Sequence, residues 1–204
     1  MKKSKAETAE TRKRIVEVAA KTFKSKGIHA TGVAEIMASA GLSHGGFYRH
    51  FSSKEQLVAE ACAASMDVLV GSAEAAAKGG HEALLKHLEE FLSAEYRDDT
   101  LSGCPLVAMG SELVRADSET RHAASTGFEE LIGVMAEWNQ IKNQEAARDD
   151  AIFTLSSMIG AVTMARIVDS PELSDHILGI AKKRLALEPS SHLAPESSSH
   201  SGRS

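Results

Sequence analysis

Apolar residues recur at spacings of three and four along most of the chain, which is the period of an amphipathic helix. The first such segment covers residues 11–26 and is followed by Gly27, a residue type that often ends a helix. Its inward face carries Ile15, Val18, Ala19, Thr22 and Phe23. Because no run alternates apolar and polar residues between turn signals, the pattern predicts an all-α fold without strands.

A second helix is predicted to begin at Thr31, a candidate N-cap, and to end at Gly41. Its inward residues are Val33, Ile36 and Met37. Only two residues separate it from the stretch HGGFYRHF, residues 44–51, which predicts a short third helix. Two short helices joined by a turn containing glycine form a helix-turn-helix, whose second helix enters the major groove of DNA.

A long, alanine-rich helix follows. Ser53 with Gln56, and Ser52 with Glu55, have the spacing of a capping box, so the helix should begin close to residue 54. Two consecutive glycines at residues 79–80 predict its end.

Five further helical segments are predicted, at residues 81–96, 103–115, 118–139, 143–168 and 171–187. Ser170 before Pro171 is an N-cap followed by a first-turn proline. Ser, Pro and His dominate residues 188–204, which we expect to be a disordered tail. The chain therefore divides into a head of residues 1–54, a helical body of residues 55–187 and the tail.

The stretch GLSHG, residues 41–45, also matches G-x-S-x-G, the turn that exposes a catalytic serine in many hydrolases. That turn requires a β-strand before the serine, whereas a helix precedes Ser43, so we interpret Ser43 as a helix cap. An enzyme that uses His, Cys or Glu in the body is an alternative. Candidates such as Cys104 with Glu112 lack an ordered set of base and orienting group, so we expect no enzyme.

Charge divides the chain in the same way. Residues 1–54 carry 11 Lys and Arg against 4 Asp and Glu, a net charge of +7. The remainder carries 12 basic and 24 acidic residues, a net charge of −12. The head is therefore suited to a polyanion such as nucleic acid. Residues 2–14 have two interpretations, a basic arm that follows DNA and a disordered basic tail.

Composition excludes several classes of protein. Apolar residues make up 43% and charged residues 25%, as in soluble globular proteins. No apolar run approaches the ~20 residues of a membrane span, and the basic N-terminus lacks the apolar segment of a signal peptide. Two cysteines, Cys62 and Cys104, are too few for a disulfide framework and have no zinc-site spacing. We therefore expect a cytoplasmic protein without metal, cofactor or membrane contact.

Residues 11–57 carry a specific set of motifs. The first helix has Ala20 and Phe23, G-x-x-x-T covers residues 27–31, and G-x-S-x-G-x-F-Y-x-H-F-x-x-K covers residues 41–54. This segment resembles the N-terminal domain of the tetracycline-repressor (TetR) family of transcriptional regulators. The resemblance implies an all-α homodimer with a DNA-binding head and a ligand-binding, dimerising body.

Motif positions and chemistry together predict the DNA contacts Thr31, Ser43, His44, Gly45, Gly46, Tyr48, Arg49, His50 and Lys54. Thr31 and Lys54 should bind phosphates on either side, Lys54 with help from the helix dipole. Gly46 lies where many members of that family carry a side chain able to touch a base. We therefore expect His44, Tyr48 and Arg49 to contact the bases instead. Phe47 and Phe51 should belong to the core.

The body should supply the dimer interface and a pocket for a small-molecule effector. The resemblance places the interface at about residues 147–184, and one recognition helix covers too few base pairs for a selective site, so we expect an inverted-repeat operator. Candidate pocket residues are Met66, Leu69, Leu88, Leu92, Cys104, Leu106, Met109, Leu113, Phe128, Met135, Trp138 and Phe153.

Cys104 precedes Pro105 at a predicted helix start, where the helix dipole lowers a thiol pKa and favours the thiolate. It has two interpretations, a thiol sensor and a small residue packed at the helix start. In either case we expect a repressor whose effector moves the helix at residues 54–78 and changes the separation of the recognition helices. The alternatives are an activator or nucleoid-type binder, and a helical module that docks on protein or membrane.

Overall fold

The computed structural model describes residues 5–99, 103–138 and 143–186, and within these ranges it contains helices and turns but no strand. The α-helices, in chain order, are α1 (Lys5–Lys26), α2 (Val33–Ser39), α3 (Lys54–Lys78), α4 (His81–Phe91), α5 (Ala94–Asp98), α6 (Pro105–Leu113), α7 (Ser118–Trp138), α8 (Gln144–Ile167) and α9 (Pro171–Ala186). A 3₁₀ helix, His44–Arg49, lies between α2 and α3 and is the recognition segment. The predicted all-α fold is confirmed, while the predicted tail lies outside the described residues.

Local side chains set the starts of α3 and α9. Ser53 Oγ accepts a hydrogen bond from the Gln56 N–H at 3.2 Å, and Gln56 Oε1 accepts one from the Ser52 N–H at 2.7 Å. Before α9, Ser170 Oγ accepts from the Leu173 N–H at 3.2 Å. Because these bonds join residues three or four apart, the sequence alone specifies them, and both predicted starts are confirmed.

The helix predicted at residues 81–96 is instead two helices. α4 ends at Phe91, and α5 begins after Ser93, whose Oγ accepts a hydrogen bond from the Tyr96 N–H at 3.1 Å. The hydroxyl gives the backbone an N-cap inside a segment whose other residues favour a continuous helix. α1 also differs from the prediction, since it begins at Lys5, six residues before the expected start.

The core of the head includes residues from the body. α1, α2, the recognition segment and the first half of α3 bury Ile15, Phe23, Ile36, Phe47, Phe51 and Leu57. Met109 and Leu113 of α6, and Ala124 of α7, belong to the same cluster. The head is thus joined to the body by the continuous helix α3 and also by the side of α6.

α3 and α7 pack at very close distance in the centre of the body. A Cβ at Gly127 of α7 would lie 2.4 Å from the Cβ of Met66 on α3, so only glycine permits this approach. Around this contact a second cluster buries Met66, Val70, Leu84, Leu131, Met135 and Leu155. A third cluster, farther along α8 and α9, buries Phe91, Cys104, Met158, Val162 and Leu178.

One face of α8 and α9 exposes large apolar side chains to solvent. The residues are Ile152, Phe153, Met164, Ile167, Leu173 and Ile180. Among the described residues, α8 is long and apolar enough by length and composition to cross a membrane, with a mean hydropathy of 1.2 over 18 residues. Length and composition do not by themselves indicate a span, since core helices of soluble proteins meet the same criteria. Only 28% of that window is buried within one chain.

Candidate nucleic-acid interface and effector cavity

A tight turn places the recognition segment directly after α2. Gly41 has a φ of +71°, in the left-handed region that glycine adopts without strain. Its N–H donates to the Ala38 carbonyl at 2.9 Å, and the Leu42 N–H donates to the Met37 carbonyl at 2.8 Å. The chain therefore leaves α2 within three residues, as a helix-turn-helix requires.

The recognition segment separates its exposed residues from its buried ones. Ser43, His44, Gly45, Tyr48 and Arg49 are exposed, and Tyr48 is 73% exposed. Phe47 and Phe51 are buried as predicted, with ring centroids 5.5 Å apart. The exposed side presents an imidazole, a phenol and a guanidinium, the groups that donate to phosphates and base edges.

Three predicted DNA contacts in this segment differ in environment. Gly46 is half-buried, and a Cβ there would lie 3.5 Å from Met37 Cε, so a side chain at this position would face α2. His50 is also half-buried, at the end of the segment. Ser43 occupies the N-cap position as predicted, but its side chain accepts no capping hydrogen bond within the described part of the chain.

Thr31 is not the N-cap of α2, and its buried side chain does not support the predicted phosphate contact. The N-cap of α2 is Gly32, and Thr31 is completely buried, with its hydroxyl donated to the Gly27 carbonyl at 2.7 Å. Lys54 begins α3 as predicted, but its Nζ donates to the Ile28 carbonyl at 2.7 Å. In this conformation its ammonium group stabilises the turn between α1 and α2 by this hydrogen bond.

Arg12 contacts three parts of the head. The sequence patterns did not identify it as a residue that positions them. Its Nη2 donates to Glu60 Oε1 at 2.6 Å, its Nη1 donates to Glu60 Oε2, and its Nε donates to the His50 carbonyl at 3.2 Å. The guanidinium also lies 4.4 Å from the ring centroid of Phe51. The hydrogen bonds that Arg12 donates to Glu60 raise the pKa of Arg12 above its usual value. Since Glu60 lies 48 residues away, local sequence carries no signal for this pair.

Two adjoining cavities lie between the helices of the body. The apolar cavity is lined by Leu69, Leu88, Phe91, Cys104, Leu131 and Met135. The polar cavity, of about 240 Å³, is lined by Lys24, Ser65, Ser72, Glu90, Tyr96 and Pro105. His87, Leu69 and Phe91 line both, so the cavities are contiguous. Burial lowers the pKa of His87 and of Lys24, so the cavity disfavours positive charge on both.

Cys104 lines the apolar cavity, and its thiol pKa is raised, not lowered as the helix dipole alone would predict. It is the N-cap residue of α6, 1% exposed, and its N–H donates to the Tyr96 hydroxyl at 2.7 Å. Burial raises the pKa of the Cys104 thiol and outweighs the backbone N–H groups of Leu106 and Val107, which lower it. The thiol is therefore the favoured form. Cys62 belongs to the head core, and burial raises its pKa to about 11.

Several other predicted pocket residues lie elsewhere. Met109 and Leu113 are buried in the head core, because α6 turns this side toward α1 and α3. Trp138 stacks on His81, with ring centroids 5.2 Å apart, and lines a surface groove at the end of α3. Leu106 packs against all three clusters, and Phe128 packs against the second. The spacing of apolar residues shows which of them share one side of a helix. It does not show which neighbour that side faces, and this explains the differences.

Among the described residues, no group of three or more His, Cys, Asp or Glu side chains could hold a metal ion.

Two family profiles match the chain. The profile for bacterial regulatory proteins of the tetR family matches residues 15–61. The profile for the C-terminal domain of LmrA/YxaF-like transcriptional regulators matches residues 80–176. The first contains α2 and the recognition segment, and the second contains α4 to α8, which line the cavities together with α3 and, at Lys24, α1.

Individual proteins agree with these matches. The chain is 24% identical to an uncharacterized HTH-type transcriptional regulator of Mycobacterium tuberculosis, with 76% of this chain and 84% of that protein aligned. It is 39% identical over 66 residues, 32% of each chain, to the HTH-type transcriptional repressor KstR2 of Mycolicibacterium smegmatis. The crystal structure of E. coli NemR in its reduced form has the same fold, with a TM-score of 0.74, 19% identity and coverage of 86% of this chain and 95% of that one. This chain belongs to the TetR family of DNA-binding transcriptional regulators, which are not enzymes.

Proposed function

We propose that the protein is a repressor that binds an inverted-repeat operator as a homodimer and is released by a small molecule in the body cavities. The observation that carries this proposal is the exposed face of the recognition segment on a head of net charge +7. Phosphate contacts from such a head provide affinity, while side chains in the groove provide selectivity.

His44, Tyr48 and Arg49 would read or position the DNA, and Ser43 and Gly45 would let the backbone approach it. All five are exposed on one short segment whose aromatic partners Phe47 and Phe51 are buried. The main role of His50 would be structural, since its carbonyl at the end of the recognition segment accepts a hydrogen bond from Arg12. Lys54 would bind a phosphate only after its hydrogen bond to the Ile28 carbonyl is broken. We propose residues 1–54 as the DNA-binding domain and residues 55–187 as the domain for effector binding and dimerisation.

The dimer would form through the exposed apolar face of α8 and α9. Two such faces, one from each chain, would bury the side chains that a single chain leaves in solvent. Closed two-fold symmetry would place two recognition segments on one side, about 34–36 Å apart as one turn of DNA requires.

The effector would be a small, largely apolar molecule with at least one polar group. The polar cavity would hold most of the molecule, with Lys24, Tyr96 and the neutral His87 offering polar contacts, while the apolar cavity, of about 40 Å³, would take a small apolar group. Because Lys24 belongs to α1, an occupant would touch the head as well as the body.

Modification of Cys104 is a second route to release. Since its thiol is buried and its pKa is raised, a reagent in solution would react slowly, whereas an electrophile bound in the apolar cavity would lie beside it. Repression rather than activation is supported by the name of the KstR2 relative, and a promoter–reporter assay would test the sign.

The test is selection of bound duplexes from a random library by the full chain at several salt concentrations. We expect an inverted repeat to be enriched and its affinity to fall steeply with salt. Tyr48→Ala should lower affinity for that duplex without changing the melting temperature, because the side chain is 73% exposed.

Lys86→Ala is the matched control, since Lys86 is an exposed cation of the body, and it should bind DNA like the parent. Failure to enrich any sequence at any salt concentration would contradict the proposal. An equal loss of affinity in both variants would contradict the assignment of the recognition segment.

A further inference from the structure

The turn that joins α1 to α2 is bound by a carboxylate from the body. Glu112, in the last turn of α6, accepts a hydrogen bond from the Ile28 N–H at 2.9 Å and from the His29 N–H at 2.8 Å. These two N–H groups lie beyond the end of α1, whose closing bond runs from the Gly27 N–H to the Phe23 carbonyl at 2.8 Å. A side chain 83 to 84 residues away thus completes the backbone hydrogen bonding of the head.

The head itself binds the same turn from two other sides. Lys54 Nζ donates to the Ile28 carbonyl at 2.7 Å, and the Thr31 hydroxyl donates to the Gly27 carbonyl at 2.7 Å. Gly27 has a φ of +87°, and a Cβ there would lie 3.0 Å from Glu112 Oε2, so the carboxylate sits directly on the turn. α2 follows at once, so the position of this turn sets the position of the helix-turn-helix.

Glu112 lies where helix electrostatics disfavour it. The C-terminal end of a helix carries partial negative charge, and the last turn of α6 itself contains no basic residue, although Lys54 and Arg115 line the same groove as Glu112. Two charge-assisted hydrogen bonds to main-chain N–H groups compensate for this position. Contact with the head, and not the stability of α6, therefore accounts for an acidic residue here.

The opposite end of α6 touches both cavities. Cys104, its N-cap, lines the apolar cavity, and Pro105, its first residue, lines the polar cavity. Nine helical residues at 1.5 Å each make a rigid element only about 13 Å long. Along the same helix, the side chains of Met109 and Leu113 are buried in the head core. A displacement of the cavity end is therefore transmitted to the carboxylate at the other end.

We infer that Glu112 is the positioning residue through which α6 holds the head in its DNA-binding geometry, a role that rests on the proposed function. An occupant of the cavities displaces the start of α6, the carboxylate moves off the Ile28 and His29 N–H groups, and the turn before α2 is released. This connection acts directly on the turn and is separate from movement of α3. A purely structural Glu112 would instead stabilise the fold equally, whatever the state of the cavities.

A double-mutant cycle tests this coupling without knowledge of the effector. Cys104→Met enlarges a side chain at the cavity end of α6, and Glu112→Gln removes the charge and one acceptor at the other end. Glu119→Gln, at an exposed position of α7, controls for the loss of one negative charge. Affinities for the selected operator duplex are measured for the parent, each single variant and the double variant.

We expect Cys104→Met to weaken operator binding about 5-fold or more in the parent and in Glu119→Gln, but to have less than a 2-fold effect in Glu112→Gln. An equal effect of Cys104→Met in all three backgrounds would overturn the inference. So would the absence of any effect of Cys104→Met and of the larger Cys104→Phe.

Amide hydrogen exchange provides a readout that needs no DNA. We expect Glu112→Gln, and separately Cys104→Met, to speed exchange of the Ile28 and His29 N–H groups about 10-fold or more, with the core of α3 unchanged. If the parent selects no duplex, the proposed function fails, yet this measurement still reports on the coupling. Unchanged exchange at both N–H groups in Cys104→Met would overturn the inference by itself.

Discussion

Two cations of the head bind main-chain carbonyls. Arg12 holds the carbonyl of His50 at the end of the recognition segment, and Lys54 holds that of Ile28 in the turn before α2. Hydrogen bonds from charged groups are stronger than neutral ones and have stricter geometry. Both residues therefore shape the DNA-binding surface as well as adding positive charge to it.

Arg12→Ala should lower the free energy of unfolding by about 1–2 kcal/mol, because the Glu60 carboxylate loses two charge-assisted bonds at a partly exposed site. Urea denaturation measures this, and Lys13→Ala, at a mostly exposed neighbouring cation, should change it little. A variant that loses DNA affinity while unfolding like the parent would instead identify Arg12 as a phosphate contact.

His87 predicts a pH dependence of stability. Burial holds its pKa in the folded chain below the usual 6.5, so below about pH 7 the unfolded chain binds a proton that the folded chain does not. The free energy of unfolding should therefore fall as the pH is lowered from 7 to 5. His87→Gln should flatten this dependence in urea titrations at each pH, and identical slopes would show that His87 titrates normally.

At the scale of helices, two glycines on one helix have opposite surroundings. Gly127 of α7 faces Met66 of α3, where a Cβ would meet the Met66 Cβ at 2.4 Å. Gly133, on the same helix, has no neighbouring heavy atom within 4 Å of such a Cβ. The pair separates the effect of packing from that of helix propensity.

Gly127→Ala should lower the free energy of unfolding by about 1–3 kcal/mol, because the added methyl group forces α3 and α7 apart. Gly133→Ala should raise it by about 0.5–1 kcal/mol, since alanine restricts the unfolded chain and adds no clash. Thermal and urea denaturation measure both, and a Gly127→Ala variant as stable as the parent or more stable would contradict the packing of α3 on α7.

Two helix starts, at Ser53 and Ser170, followed from sequence because the capping group and its target lie three residues apart. The break at Ser93 was missed, because residues on both sides of it favour one helix and the competing cap is equally local. Which side of α6 meets the cavity was also not predictable. Met109 and Leu113 have the right spacing for a pocket but face the head.

At the scale of the whole molecule, the apolar face of α8 and α9 is exposed to solvent within the described part of the chain. Phe153 is 64% exposed and Ile167 is 66% exposed in a single chain. Exposed apolar faces of this kind favour association with another surface, and the proposed homodimer would bury this one.

Ile167→Glu should shift the protein toward monomer, because the dimer would bury an unpaired carboxylate. Analytical ultracentrifugation measures the shift, which should be accompanied by loss of operator affinity. Val114→Glu is the matched control, since Val114 is 76% exposed at the end of α6, and it should leave the dimer intact. A stable dimer of the Ile167→Glu variant would place the interface elsewhere.

The sequence by itself determined the helical fold, the helix-turn-helix with its exposed His44, Tyr48 and Arg49, and the charge of the head. These depend on periodicity, caps and turns that act over a few residues. Only the tertiary structure decided the burial of Thr31 and the raised pKa of Cys104.

Long-range contacts explain the rest. Arg12 with Glu60, and Glu112 with the turn after α1, join residues 48 to 84 positions apart. Hydrogen bonds of this kind, and the desolvation of a thiol, depend on which helix faces meet in space. The rotation and packing of each helix determine which faces are in contact, and both depend on the whole folded chain.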